Sequence, residues 1–442
     1  MRIQLSDHFS FKKLLRFTLP SIIMMVFNSV YCAVDGLFVS NFVGITPFAA
    51  LNLIFPFVQL LGCVGFMFSS GGAALVSATL GMKQKEKANR IFSMLTYVAI
   101  GTGISIAVLG ILFIRPVAIW MGADDALLPY CIIYGRILLA ATPALMLQVL
   151  FQSFLVTAEK PGLGLLVTVL AGVGNIVLDA LFILVFRWGL AGAAAASAAS
   201  QCIAGFVPLL YFCRKNGGPL QLGKANFDFK AMLHICTNGL SELVTNISMS
   251  VVSILYNFQL MRLAKENGVA AYGAVMYINF AFAAIFIGFS IGVAPVIGYH
   301  YGAQNHSELK NLFRRSNLLV TVASVVLATV AFLLAAPMGR LFVGSDPELL
   351  GITVTAFRYF ALAVLFAGFS IFGSAFFTAL NNGVVSAAIS FLRTLVFQIL
   401  LVLILPAFLD LNGVWLSLGV AEILSTVVTV IFYRTQRSDY HY

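Results

Sequence analysis

The stretch LGLLVTVLAGVGNIVLDALFILVF, residues 163–186, is apolar enough to cross a membrane, yet it contains Asn175 and Asp179. About 20 apolar residues suffice to span the hydrocarbon core of a bilayer. A carboxylate at that depth costs at least about 2.5 kcal/mol, so it usually faces a water-filled cavity where it handles a cation or a proton. This stretch therefore predicts a membrane protein that moves ions.

Similar apolar runs fill the rest of the chain. Apolar residues make up 61% of the 442 positions and charged residues only 10%, whereas soluble domains carry about 25% charged residues. We predict an all-α integral membrane protein whose twelve transmembrane helices form two six-helix lobes related by pseudo-twofold symmetry. The predicted spans lie near residues 14–41, 51–80, 90–115, 128–156, 163–186, 188–213, 233–258, 268–300, 316–338, 350–380, 384–408 and 412–433.

The positive charges lie mainly on one side of the predicted membrane. The net charge is +10, but 18 of the 26 basic residues fall in the termini and in the loops on one side, against five on the other. This asymmetry is the positive-inside pattern and does not indicate nucleic-acid binding. We therefore expect a multi-pass protein of the cell (inner or plasma) membrane with both termini in the cytoplasm.

An internal repeat predicts where the lobes divide. GGAALV at 71–76 resembles GVAPVI at 292–297, and FQSFLVTA at 151–158 resembles FGSAFFTA at 372–379, both at an offset of 221 positions. Two separated matches at one offset indicate duplicated halves. Parallel halves place the substrate cavity between them, near the bilayer midplane. The predicted units are an N-terminal lobe (1–213), a cytoplasmic linker (214–232) and a C-terminal lobe (233–442).

Polar residues on two predicted helices share faces that point to a cation site. On span 1, Asn28, Tyr31 and Asp35 are spaced three and four apart, and on span 5 Asn175 and Asp179 are spaced four apart. If the two faces meet, their oxygens suit a hard cation, so Na⁺ at Asp35, Asn175 and Asp179 is one prediction. Neighbouring carboxylates also favour proton capture, so H⁺ and Na⁺ both stay open.

Further embedded charges lie in the second half of the chain. Glu242 on span 7 and Glu422 on span 12 lie at a depth comparable to that of Arg393 on span 11. We expect Arg393 to pair with one of the two acids and leave the other to contact a cationic substrate. The candidates for the substrate cavity are Asn28, Tyr134, Gln148, Glu242 and Glu422. Aromatic and methionine side chains suit a pliable cavity for flat cations.

Neither an enzyme site nor a cofactor site is predicted. The five histidines form no pair with metal-ligand spacing, and the chain has no glycine-rich phosphate loop ending in Gly-Lys-Ser/Thr. We expect no enzymatic activity, and no cofactor beyond the coupling H⁺ or Na⁺.

Motifs along the whole chain resemble those of the multidrug and toxic compound extrusion (MATE) family. They are Pro20 followed by DGLFV at 35–39, GMKQKEKA at 81–88, Asn175 and Asp179 followed by GLAGAA at 189–194, and Gly292 followed by YGA at 301–303. The resemblance implies alternating-access antiport, in which organic cations or drugs leave against inward flow of H⁺ or Na⁺. The implied partners are small organic cations and the lipid bilayer, and we expect a monomer.

The resemblance also implies residue roles. Cation coupling falls to Asp35, Asn175 and Asp179, with Tyr31 and Tyr134 nearby. Some members carry a coupling carboxylate deeper in span 7, whereas here the acid is earlier, at Glu242, in GLSELVTN at 239–246. That segment is similar to a MepA-like bacterial branch, and it leaves Glu242 a second-rank site.

Two other functions stay open on the sequence. Related folds flip lipid-linked precursors, although those relatives commonly have additional spans. An intramembrane enzyme would use a compact acid pair, which Asp35 and Asp179 would then supply.

Overall fold

The computed structural model describes residues 3–343 and 347–442, and regular structure in these residues is helical. The helices are α1 (Phe11–Phe42), α2 (Ile45–Gly81), α3 (Lys85–Trp120), α4 (Leu128–Ala140), α5 (Thr142–Thr157), α6 (Pro161–Asp179), α7 (Gly189–Cys213), α8 (Phe229–Asn238), α9 (Leu240–Gly302), α10 (His306–Leu333), α11 (Ala335–Val343), α12 (Pro347–Ala379), α13 (Gly383–Phe391), α14 (Phe397–Ile404), α15 (Pro406–Thr435) and α16 (Arg437–Tyr440). Two π-helical segments, Ala180–Val185 and Leu392–Val396, follow α6 and α13.

The helices account for twelve membrane spans. Among the described residues, ten helical stretches are long and apolar enough to cross a membrane, and the bent pair α4–α5 provides another span. Helix α9 has 63 residues and would be about 95 Å long if straight, three times the hydrocarbon core. It breaks at Lys265, whose φ is 49° and ψ −142°, and therefore contains two spans. The predicted all-helical membrane fold is confirmed.

The breaks within spans differ from the sequence prediction in detail. The predicted continuous span over 233–258 is interrupted at Gly239, where α8 ends and α9 begins. Span 12 was predicted to begin at 412, but α15 begins at Pro406 and bends at Asp410, whose φ is 48°. Hydropathy alone does not register these bends, because the flanking residues stay apolar on both sides.

Both chain ends meet at one end of the bundle, here called the termini face. Near the N-terminus, the backbone N–H of Phe9 donates to Glu308 Oε1 at 2.9 Å, and His8 Nδ1 lies 2.6 Å from Glu308 Oε2. Near the C-terminus, the His441 ring lies 5.0 Å from that of His306. An even number of spans requires this arrangement. Which side of the membrane this face occupies stays a prediction.

The chain between α7 and α8 runs along α3 at the termini face. The Ser93 hydroxyl accepts a hydrogen bond from the N–H of Gly223, and Tyr97 donates to the Gly223 carbonyl at 3.0 Å. The predicted linker extended to residue 232, but a helix begins at Phe229, where the Asp228 carboxylate caps the N–H of Ala231.

Glycines bring α2 and the helices of the second half of the chain into backbone contact, forming what we call the glycine seam. A Cβ on Gly81 would lie 2.0 Å from the Tyr299 carbonyl oxygen, and one on Gly302 would lie 1.9 Å from that of Ala78. Ten residues away, Gly71 and Gly239 make an equivalent reciprocal approach. The two halves are therefore closed against each other along this length of α2.

Candidate functional site

The site begins where α1 packs on α6. Gly172, Asn175 and Asp179 are spaced three and four apart on α6, and Phe27 and Tyr31 face them from α1. A Cβ on Gly172 would lie 2.5 Å from Phe27 Cε1 and 3.1 Å from Tyr31 Cδ1. The absence of a side chain at residue 172 thus lets the two rings, and one turn further Asp35, approach α6.

The structure brings Asp35 and Asp179 together. Their carboxyl groups lie within hydrogen-bonding reach of each other. Asp179 is 0% exposed, and neither of its oxygens has a hydrogen-bond donor among the described residues. Two carboxylate oxygens are both acceptors, so a proton or a cation must lie between them if they are to attract each other.

Two asparagines lie on the same helices as this pair. Asn175 is buried, and both its amide nitrogen and its oxygen lack partners within the described chain. The Asn28 amide oxygen is likewise buried without a donor. Tyr31 belongs to the same surface of α1, next to Gly172. Buried polar groups are normally hydrogen-bonded, so unpaired amide groups on the two helices that carry Asp35 and Asp179 set this region apart from the surrounding apolar core.

The side chains at the acid pair offer few ligands for a metal ion. No group of three His, Cys, Asp or Glu side chains that would hold a metal occurs in residues 3–343 and 347–442. A bound Na⁺ would therefore need the Asn175 oxygen in addition to the two carboxylates. The described contacts fit a proton shared by the two carboxyl groups. They fit a sodium ion only if the neutral Asn175 oxygen also binds it.

A π-helical segment follows Asp179 directly. It spans Ala180–Val185, and beyond it Trp188 stacks on Phe182 with ring centroids 4.8 Å apart. The Trp188 N–H donates to the Phe182 carbonyl at 2.9 Å, which closes the helix end. Single π-helical turns interrupt the regular hydrogen-bond ladder and occur frequently at functional sites. Asp179 therefore lies at the last regular turn of α6.

In the second half of the chain, Arg393 pairs with Glu422. The Arg393 Nε donates to Glu422 Oε2 at 2.9 Å, and its Nη2 lies 2.9 Å from Oε1. Glu422 is buried, and Arg393 is largely so. Of the two acids considered from the sequence, Glu422 is the partner of Arg393. A substrate contact for Glu422 stays a prediction.

Glu242 lies between the two halves. It interacts electrostatically with Arg393 on one side and lies near Cys63 of α2 on the other. Its side chain is partly exposed, whereas that of Glu422 is buried. The role of Glu242 as a second-rank site stays a prediction.

The remaining candidates lie inside the N-terminal half. Tyr134 is buried on α4 beside Cys131 and Ile54. Gln148 on α5 lines a cavity of about 10 Å³ with Thr168 of α6, a volume close to that of one water molecule. This cavity is too small for an organic cation. The roles of Tyr134 and Gln148 stay predictions.

Sequence reasoning missed Gly172 and the π-helical segment. Gly172 carries a readable signal, because it shares the face of Asn175 and Asp179 on a helix of 3.6 residues per turn. The π-helical segment carries none, because its sequence, ALFILV, is also that of an ordinary apolar helix.

The fold and the site together define an all-helical, multi-pass membrane transporter with a buried carboxylate pair. The family model MatE matches two stretches of equal length, residues 20–181 and 243–404, which make up more than two thirds of the chain. The chain therefore belongs to the MATE family, a family of transporters and not of enzymes. The matched stretches start 223 positions apart, close to the offset of 221 read from the internal repeat.

Individual relatives agree with this assignment. The chain is similar to the multidrug export protein MepA of Staphylococcus haemolyticus, with 26% identity over 93% of this chain and 90% of the relative. Its fold matches the crystal structure of a MATE protein in complex with MaL6, with a TM-score of 0.93 and 23% identity over 98% of both chains. It matches the outward-facing conformation of a multidrug resistance MATE transporter equally well, at 0.93 and 22% over 98% and 97%.

Proposed function

We propose that this protein exports organic cations across the cell membrane by cation-coupled antiport, with Asp35 and Asp179 as the coupling pair. The observation that carries the proposal is the contact between these two buried carboxyl groups, for which the described residues provide no counter-charge. A site of this kind must take up a cation or a proton to be stable, and releases it when exposed to the other side. The multidrug export function named for the MepA relatives supports the substrate class.

The direct contact of the two carboxyl groups favours H⁺ over Na⁺ as the coupling ion. A shared proton fits between two oxygens at hydrogen-bonding distance, whereas Na⁺ would have to recruit the Asn175 oxygen. In the proposed cycle the pair loads from outside, loses its charge and repacks α1 on α6. The lobes 1–213 and 233–442, joined by 214–232, then rock as a monomer and expose the site to the cytoplasm, where both termini lie.

Glu242 supports the choice of a cationic substrate. It lies near Cys63 of the first half and Arg393 of the second, and Arg393 is already neutralised by Glu422. A carboxylate in this position attracts an organic cation entering from the cytoplasm. Each unit charge that moves down the membrane potential supplies about 2.3 kcal/mol per 100 mV for the cycle.

The test is transport of ethidium in proteoliposomes, under an imposed pH gradient and, separately, an imposed Na⁺ gradient. We expect ethidium movement with the pH gradient in the wild type and in Asp125→Asn, an exposed acid that serves as matched control. Asp35→Asn and Asp179→Asn should lose the gradient-driven component. If ethidium moved under the Na⁺ gradient and not under the pH gradient, the coupling ion would be Na⁺ and the preference for H⁺ would be wrong.

Two outcomes contradict the proposal. Asp35→Asn with wild-type gradient-driven efflux would remove the acid pair from coupling. A folded wild type that moves ethidium under neither gradient would exclude the antiporter, and translocation of a fluorescent lipid-linked precursor should then be measured.

A further inference from the structure

A basic groove opens on the termini face between the start of α1 and the first turns of α10. It encloses a volume of about 460 Å³ and is separate from the acid pair. Its lining includes Phe11, Lys310, Asn311, Arg314, Arg315 and Leu318.

Three cations in this groove lack acidic partners. Among the described residues, none of Lys310, Arg314 and Arg315 forms an ion pair. Glu308, one turn away, has both its oxygens bound: Oε2 lies beside His8 Nδ1, and Oε1 accepts from the Phe9 N–H and from Asn311 Nδ2. In the part of the chain that the structure describes, the groove therefore has three positive charges without an ion-pair partner.

One of these cations is held in a fixed orientation. The Arg315 guanidinium lies over the Phe11 ring at 4.6 Å, and its Nε donates to Asn311 Oδ1. Asn311 is itself anchored, because its Nδ2 donates to the Phe9 carbonyl and to Glu308 Oε1. Within residues 3–343 and 347–442, the hydrogen bond of this guanidinium is made by Nε and leaves its terminal nitrogens unbonded. An oriented guanidinium of this kind suits a phosphate, which it binds in bidentate geometry.

The groove also borders the lipid-facing surface. Phe11 is 40% exposed and Leu318 is 51% exposed. One helical turn further along the same faces, Leu15 and Val322 are exposed as well. A ligand with a phosphate at the basic end would find apolar side chains on both helices in the direction of the membrane.

We propose that this groove binds the headgroup phosphate of an anionic phospholipid, with the acyl chains along Leu15 and Val322. Basic pockets between transmembrane helices at the membrane surface are known places for anionic headgroups. Free inorganic phosphate shares the headgroup chemistry but has no apolar part that could contact Leu15 and Val322. These exposed apolar side chains therefore favour a lipid over free phosphate.

The test is native mass spectrometry of the full-length protein in detergent, titrated with dioleoyl phosphatidylglycerol. The variant is Lys310→Gln with Arg314→Gln. The matched control is Lys224→Gln with Lys230→Gln, which removes the same charge from exposed positions before and at the start of α8. Dioleoyl phosphatidylcholine and inorganic phosphate provide the comparison ligands, and thermal unfolding checks that each variant is folded.

We expect one phosphatidylglycerol bound to the wild type and to the control, with about thirtyfold weaker binding to the groove variant, since each cation near an anionic lipid contributes about 1 kcal/mol. Equal binding by a folded groove variant, or equal retention of phosphatidylcholine, would overturn the proposal. If inorganic phosphate competed with the lipid at equal affinity, the ligand would be free phosphate and the lipid assignment would be wrong.

Discussion

The fifth span of each half has a π-helical segment beside an ionisable residue, but the two residues have opposite surroundings. Asp179, before Ala180–Val185, faces another carboxyl group, Asp35. Arg393, within Leu392–Val396, faces the carboxylate of Glu422. The same irregularity thus holds an acid pair in one half and a neutralised ion pair in the other. The difference fits the proposed function, in which the acid pair takes up and releases a proton while the ion pair keeps its charges.

The comparison predicts that breaking the C-terminal pair damages stability most. Glu422→Gln removes the carboxylate that forms an ion pair with Arg393 and leaves only the electrostatic interaction of Arg393 with Glu242. Removing one partner of a buried pair costs about 3–5 kcal/mol. Thermal unfolding in detergent should show a clear loss for this variant. Asp179→Asn, by contrast, removes a buried acid that has no counter-charge among the described residues, so its unfolding midpoint should be no lower than that of the wild type.

The double variant Arg393→Met with Glu422→Gln is the control for this prediction. It removes both charges and should recover most of the lost stability. If Glu422→Gln unfolded like the wild type, or Asp179→Asn unfolded far earlier, the division of tasks between the halves would be wrong.

A second variant separates the members of the acid pair without changing a charge. Gly172→Ala places a Cβ against the Phe27 and Tyr31 rings and should push α1 away from α6, at a cost of about 1–3 kcal/mol. Gradient-driven ethidium efflux should fall, while the leak without a gradient stays unchanged. The control is Gly174→Ala on the same helix, where the new Cβ meets Ile203 at an ordinary 3.6 Å. Equal efflux by the two variants would show that this close approach does not matter for transport.

The smallest expected difference concerns two equivalent serines. Ser374 shares its hydroxyl with those of Ser386 and Ser390, each at 2.9 Å, whereas Ser153 interacts with Ser69, which also donates to the Val149 carbonyl. Ser374→Ala should therefore cost about 1 kcal/mol and Ser153→Ala less, because Ser69 keeps its second acceptor. Thermal unfolding of both variants checks the order, and a larger loss for Ser153→Ala would reverse it.

Much of the fold was predictable because a bilayer leaves few choices to an apolar chain. Uninterrupted apolar runs gave the twelve spans, and their polar loops gave an even count. The bends at Gly239 and Asp410 were not predictable, because they depend on what the adjacent helices leave room for. The approach of Asp35 to Asp179 followed from helical spacing only on the condition that the two faces meet, and the structure meets that condition.

The second half of the site was less predictable from sequence. Depth along a helix identified Glu242, Glu422 and Arg393 as neighbours, but their pairing depends on how three helices are rotated about their axes. Gly172 was missed for a similar reason. Its importance depends on how closely the Phe27 and Tyr31 rings pack against it, which the sequence does not show.

The glycine seam has a consequence for how fast the two halves can part. At Gly71, Gly81, Gly239 and Gly302 the surfaces in contact are bare backbone. At these four points no side chain separates the two helices, so the backbones themselves must part when the halves separate. The barrier to separating the halves at these points is set by the backbone contact area that is lost. A single added methyl group, as in Gly81→Ala, would clash with the Tyr299 carbonyl oxygen and keep the two halves from closing fully against each other.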